Sequence, residues 1–172
     1  KGVLIGMLPM DAAIGAARVG QIVEVQRTLI ARIRTAVATA AAGVAVLPLP
    51  MADAPLLIGL HTILVVAISQ VAGKRPTPER IREFFGALGM SALSGWGLRE
   101  LARQAAKLVP GYGALASPPI AFGATWAIGR AAEAWFLDEV SPEEARRIFE
   151  QARSVDPTTL PDYQASQKEQ GG

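Results

Sequence analysis

The stretch DAPLLIGLHTILVVAISQVAG, residues 53–73, carries one ionised side chain, Asp53, and it comes first. Asp53 is placed to cap the free amides of a helix, and Pro55 in the first turn lacks an N–H that has no intrahelical partner anyway. The run therefore reads as a helix from Asp53 through Ile63-Leu64-Val65-Val66 to Val71, stopped by Gly73. Residues 35–52 upstream are also uncharged, so Asp53 is the only formal charge between Arg34 and Lys74; His61 is the only other ionisable group there. Leu47-Pro48-Leu49-Pro50 breaks the two runs apart, because proline lacks the donor and clashes with the preceding turn. Roughly 20 apolar residues span a bilayer core. The second run is long enough; the first, mostly alanine and valine, is marginal.

Arg32 and Arg34 precede this hairpin, and Lys74 and Arg75 follow it. With both ends on the cytoplasmic side it obeys the positive-inside tendency. Asp53 then sits near the far turn, where a carboxylate reaches water, and avoids the cost of about 2.5–3.5 kcal/mol at mid-bilayer. The residues expected to meet lipid or partner helices are Val44, Val46, Leu49, Leu56, Ile58, Leu60, Ile63, Val65 and Val66. A second reading stands beside this one. His61, Thr62, Ser69 and Gln70 interrupt the apolar run, and two buried core helices of a soluble bundle have the same pattern. Both readings hide the hairpin from water.

Helical signals fill the rest of the chain. From Asp11 to about Ala42, Ile22, Leu29, Ile33, Val37 and Ala40 fall on one line, with Gln26 the exception, while Glu24, Arg27, Arg32 and Arg34 lie off it. This predicts a long amphipathic helix whose polar side fades after Arg34. Thr77-Pro78-Glu79 starts another, with Ile81, Phe84, Phe85 and Leu88 at i, i+3, i+4 and i+7. Helical spacing returns at Leu98, Leu101, Ala102, Ala105, Leu108 and Val109, and Pro110-Gly111-Tyr112-Gly113 is a turn. A helix then runs to about Leu137, and Ser141-Pro142-Glu143-Glu144 is a capping box for a last one bearing Ala145, Ile148, Phe149 and Ala152. No strand alternation is present. The expectation is an all-α, compact bundle of about six helices over residues 1–155, with residues 156–172 a flexible tail. One spacing concerns packing: Gly113, Ser117, Ala121, Thr125 and Gly129 put a small residue at every fourth position, a ridge where another backbone approaches closely. It fits helix association in a bilayer or homo-oligomer, or an ordinary tight crossing inside a bundle.

Composition narrows function by exclusion. The 172 residues are 51% hydrophobic and 19% charged, which rules out a largely disordered chain. With no cysteine and one histidine, disulfides, thiolate metal sites and cysteine nucleophiles are impossible. A net charge of +2 is too weak to argue for nucleic acid. Residues 1–109 nevertheless carry +6 and residues 110–172 carry −4, so the first part suits an anionic membrane surface or an acidic protein face. The opening stretch lacks a signal-peptide pattern. Gly73-Lys74 continues to Arg75-Pro76, without the hydroxyl of a phosphate loop. His61 has no carboxylate cluster at ligand spacing, and no serine lies near a base in sequence. Trp96, Trp126 and Trp135 suit an interfacial belt or, more commonly, core packing. No catalytic, cofactor or metal residue is assigned, and no enzyme activity is expected.

The order of short motifs resembles a known helical domain. An alanine-rich helix leads to Leu47-Pro48-Leu49-Pro50-Met51-Ala52-Asp53; then come Phe85-Gly86-Ala87-Leu88, Lys107-Leu108-Val109-Pro110-Gly111-Tyr112-Gly113 and Gly129-Arg130-Ala131-Ala132. Over about residues 31–137 this is similar to the DUF697, or YcjF-like, family, with Met51 standing where that family often has glycine. The resemblance implies a membrane-associated, GTPase-associated accessory domain. Since the GTP-binding motifs are missing here, it places any GTPase upstream of Lys1 or on a separate chain. It supplies no catalytic residues.

Overall fold

Ala127, Ala131 and Ala132 are fully buried in the helix Pro118–Phe136, and this run of small side chains lets neighbouring helices approach it from several sides. A computed structural model describes residues 10–45, 53–89 and 118–170, which form α1 (Met10–Val44), α2 (Asp53–Val71), α3 (Pro78–Ala87), α4 (Pro118–Phe136), α5 (Pro142–Arg153) and α6 (Pro161–Gln170). A 3₁₀ turn, Pro157–Thr159, links the last two. Helix α4 packs against α1, α2 and α5, and α1 also packs against α2. The chain is all-α, and no strand occurs among the described residues.

The local signals explain the helix ends. Thr77 caps α3 by accepting a hydrogen bond from the Arg80 amide, and Ser141 caps α5 by accepting one from the Glu144 amide at 3.2 Å. Helix α2 closes with paired bonds, Lys74 N–H to the Ser69 carbonyl and Gly73 N–H to the Gln70 carbonyl, which satisfy its last acceptors. The main core joins Ile30 of α1, Leu64, Val65 and Ile68 of α2, Phe84 and Phe85 of α3, Ile128 and Phe136 of α4, and Phe149 of α5. Phe84 is fully buried at its centre, with ring centroids 5.3 Å from Phe85, 5.7 Å from Phe136 and 6.0 Å from Trp135.

Three expectations are corrected. Residues 156–170 of the expected tail are docked on the bundle: Asp156 caps the 3₁₀ turn, Leu160 is buried with Phe122, Ala38 and Ala42, and the Tyr163 ring meets Phe122 edge-on at 5.0 Å. Two apolar side chains in a polar stretch dock it, together with the hydrogen bond that Asp162 accepts from the Trp126 indole. Gly123 leaves the room, since a Cβ there would lie 2.5 Å from Cγ of Pro157. Second, α1 is rotated from its expected face. Ile22 and Leu29 are 59% and 44% exposed, while Ile30, Arg34, Ala38 and Ala41 face inward. Small residues permit the close crossing with α4, and a carboxylate on α4 makes burial of Arg34 tolerable. Third, no described helix is long and apolar enough to cross a membrane, so the transmembrane hairpin has no span among the described residues. In α2, Leu64, Val65 and Ile68 are buried in protein.

Of the expected contact residues, Val65 is buried, Val44, Ile58, Leu60 and Val66 are half-buried, and Leu56 and Ile63 are exposed. Val46, Leu49, Gly113 and Ser117 lie outside the described residues, as do the Pro48–Pro50 turn, the 98–109 spacing and Trp96.

Candidate functional site

Arg27, Ile30 and Arg34 recur at i, i+3 and i+7 on α1, so they share the side that α4 meets. Ile30 enters the core, and the two arginines converge on Glu133 of α4. Glu133 Oε1 accepts from Arg27 Nη1 at 3.1 Å, and Oε2 accepts from Arg34 Nη1 at 2.8 Å. Arg130, one turn before Glu133, places Nη1 3.5 Å from Oε2. Arg27 also donates both terminal nitrogens to Asp138, just past the end of α4. From α6, Asp162 accepts the Trp126 indole N–H at 2.9 Å and lies 3.8 Å from Arg34 Nη2. Three guanidiniums thus face three carboxylates, and the cluster is neutral.

The Arg34 and Glu133 side chains are each only 8% exposed. Arg34 passes over the bare backbone of Gly129, where a Cβ would lie 2.7 Å from Arg34 Cγ and 2.9 Å from Cδ. Its guanidinium stands 5.2 Å from the Trp126 ring centroid, within cation–π range. Burial pulls Arg34 below the usual arginine value, and the Glu133 charge opposes that shift. Arg34 Nε has no hydrogen-bond partner. The hydrogen bond to Asp138 holds Arg27 above its usual value. A pair buried this deeply contributes little net stability, because desolvation offsets the attraction; it is costly chiefly when broken.

Nearby, Thr125 is fully buried and donates its hydroxyl to the Ala121 carbonyl at 2.8 Å. Its oxygen lies 3.0 Å from His61 Nε2 of α2, so the ring must be the donor there, in the Nε2–H tautomer. Burial pushes the His61 pKa down to about 4. The described members of the small-residue ridge are therefore used inside the fold: Thr125 faces α2, Gly129 faces α1, and Ala121 is half-buried.

This chemistry is positional. The hydroxyls of Ser69, Ser154 and Ser166 donate to carbonyls three residues back along the chain, and no cluster of potential metal ligands occurs among the described residues. Among the described residues, two surfaces suit a small ligand or a bilayer. One is a cleft of about 350 Å³ beside the arginines, between α4 and α5, with Ile148, Ala152 and Val155 among its walls. The other is the outer side of α2, where Leu56 and Ile63, seven residues apart, are 48% and 60% exposed. Sequence reasoning marked the second and missed the first, since it read both arginines as solvent-facing. The i, i+7 pair Arg27 and Arg34 enclosing Ile30 was the available signal. No family model, curated protein or solved structure matches this chain.

Proposed function

We propose that this domain is a non-catalytic, membrane-associated anchoring module. It docks on the cytoplasmic side of a bilayer through the outer face of α2, as the accessory domain of a GTPase carried upstream of Lys1 or on a separate chain. The observation that supports this reading is the mismatch on α2. The helix has no ionised residue after Asp53, yet among the described residues only its Leu64, Val65 and Ile68 side is fully covered. A helix with so few polar side chains, here His61, Thr62, Ser69 and Gln70 after Asp53, normally has cover over most of its surface. Two half-exposed aliphatic side chains contribute about 1–3 kcal/mol together on burial, enough for weak and reversible association. Stable attachment then requires a second signal, as it does for a single lipid chain, and a tethered partner supplies it. The GTPase in this proposal comes from the motif resemblance alone.

Flotation with vesicles of 70% phosphatidylcholine and 30% phosphatidylserine tests the docking. The intact chain is expected to float and Ile63→Asp to remain at the bottom. Equal recovery of both in the pellet sinks the reading.

One observation favours a soluble interaction protein instead. Ile22, Val25 and Leu29 form an exposed i, i+3, i+7 stripe on α1, a pattern suited to pairing with another helix. Light scattering without detergent separates the two: a stable oligomer that Val25→Asp dissociates supports pairing. Of the small-residue ridge, Thr125 and Gly129 face α2 and α1 within the fold, which favours the exposed stripe as the pairing surface.

A further inference from the structure

We infer that the cleft between α4 and α5 is a binding site for a medium-chain aliphatic carboxylate, held by Arg130 at its charged wall. The inference is independent of membrane docking. Within this cleft the carboxylates are already occupied: Glu133 accepts from Arg27 and Arg34, and both Asp138 oxygens accept from Arg27. Arg130 differs. Its side chain is 46% exposed, its nearest carboxylate oxygen is at 3.5 Å, and it makes no hydrogen bond among the described residues. Its guanidinium stands 5.9 Å from the Trp126 ring centroid, while the indole N–H is turned to Asp162. The wall thus offers Arg130 N–H donors that make no hydrogen bond, while every Glu133 and Asp138 oxygen already accepts from an arginine, which favours an anion over a cation.

The opposite wall selects the rest of the ligand. Ile148, Ala152 and Val155 of α5 and its C-terminal end supply aliphatic surface, and Val155 is 41% exposed. A volume of about 350 Å³ lies near the lower limit of small-molecule sites, about 300–1,000 Å³. A charged head of two oxygens with an unbranched tail of about eight carbons matches that size and division of polarity. Arg130 binds the carboxylate through paired N–H donors, and the tail covers Val155 and Ile148.

The test is titration of the intact chain with sodium octanoate, octylammonium chloride and sodium acetate, followed by the Trp126 indole N–H in proton–nitrogen correlation spectra. Octanoate is expected to give a saturable shift, whereas octylammonium and acetate give none at equal concentration. Shortening the tail should weaken binding about fourfold per methylene. Arg130→Gln is expected to weaken octanoate at least tenfold, and Val155→Asp to abolish the shift, with the remaining spectrum showing a folded chain. If either variant unfolds, the other carries the test. Equal response to octanoate and octylammonium, unchanged affinity in Arg130→Gln, or a shift removed by Ile63→Asp but not by Val155→Asp would each overturn the assignment.

Discussion

The crossing of α1 with α4 and the outer side of α2 treat polarity in opposite ways. At the crossing, Arg34 and Glu133 are taken out of water, while on α2 and the free side of α1 Ile63, Leu56 and Ile22 remain in it. Hydropathy of the individual residue predicts neither outcome. Burial of the arginine follows from a partner arriving at the right place: Glu133 supplies the charge, Gly129 the clearance and Trp126 the face of a ring. Exposure of the aliphatic residues follows from the absence of such a neighbour among the described elements.

The largest expected effect breaks the buried side of this contrast. Glu133→Leu leaves the enclosed Arg34 with only Asp162, 3.8 Å away, as counter-charge and is expected to lower stability by about 3–5 kcal/mol in urea denaturation. The double variant Arg34→Met with Glu133→Leu should recover most of that loss, because an apolar pair of similar volume is often as stable as a buried ion pair. If the double variant is no better than the single, the seam's stability comes from something other than paired charge.

Next is the pH response of His61. Its pKa is about 4 in the fold against 6.5 ordinarily, so between these values the unfolded chain binds more protons than the native one. The stabilising contribution is complete above pH 6.5 and is lost as the pH falls towards 4, by up to about 3 kcal/mol. His61→Gln should flatten this part of the stability profile relative to the parent chain. Parallel profiles would mean that the imidazole has water access.

Gly129→Val is expected to cost about 1–3 kcal/mol, since the new side chain must displace Arg34. Better helix propensity returns less than about 1 kcal/mol. A neutral thermal midpoint would show that the crossing can widen. On the open side, Ile63→Ser should change stability by no more than about 0.5 kcal/mol while lowering vesicle binding. A large loss of stability there would mean that Ile63 is covered by protein, and the contrast between the two regions would disappear.

Much of the fold was legible because its signals are local. Thr77 and Ser141, each followed by proline, announced two helix starts; Gly73 announced an end; Ile81, Phe84, Phe85 and Leu88 announced a buried face. The rotation of α1 was not legible. Its apolar residues allow two neighbouring lines, and the choice was made by alanines 38 and 42 packing with Phe122 of α4, which spacing on one helix does not reveal. The docked C-terminal segment was missed for a related reason. Leu160 and Tyr163 sit in a polar, proline-bearing stretch, and their anchor is Phe122, 41 residues from Tyr163 along the chain. The arginine cluster was hidden most deeply: Arg34 contacts groups supplied by α4 and α6.

The amino-acid sequence by itself determined helicity, the positions of several helix ends, and the long uncharged interval, because capping, proline geometry and side-chain period act between residues a few places apart. Tertiary structure alone decided which face of α1 turned inward, which arginines left water, and where a cleft opened beside Arg130. Those outcomes depend on charges and clearances contributed by segments about a hundred residues apart (99 between Arg34 and Glu133), and burial becomes favourable only once both sides are present.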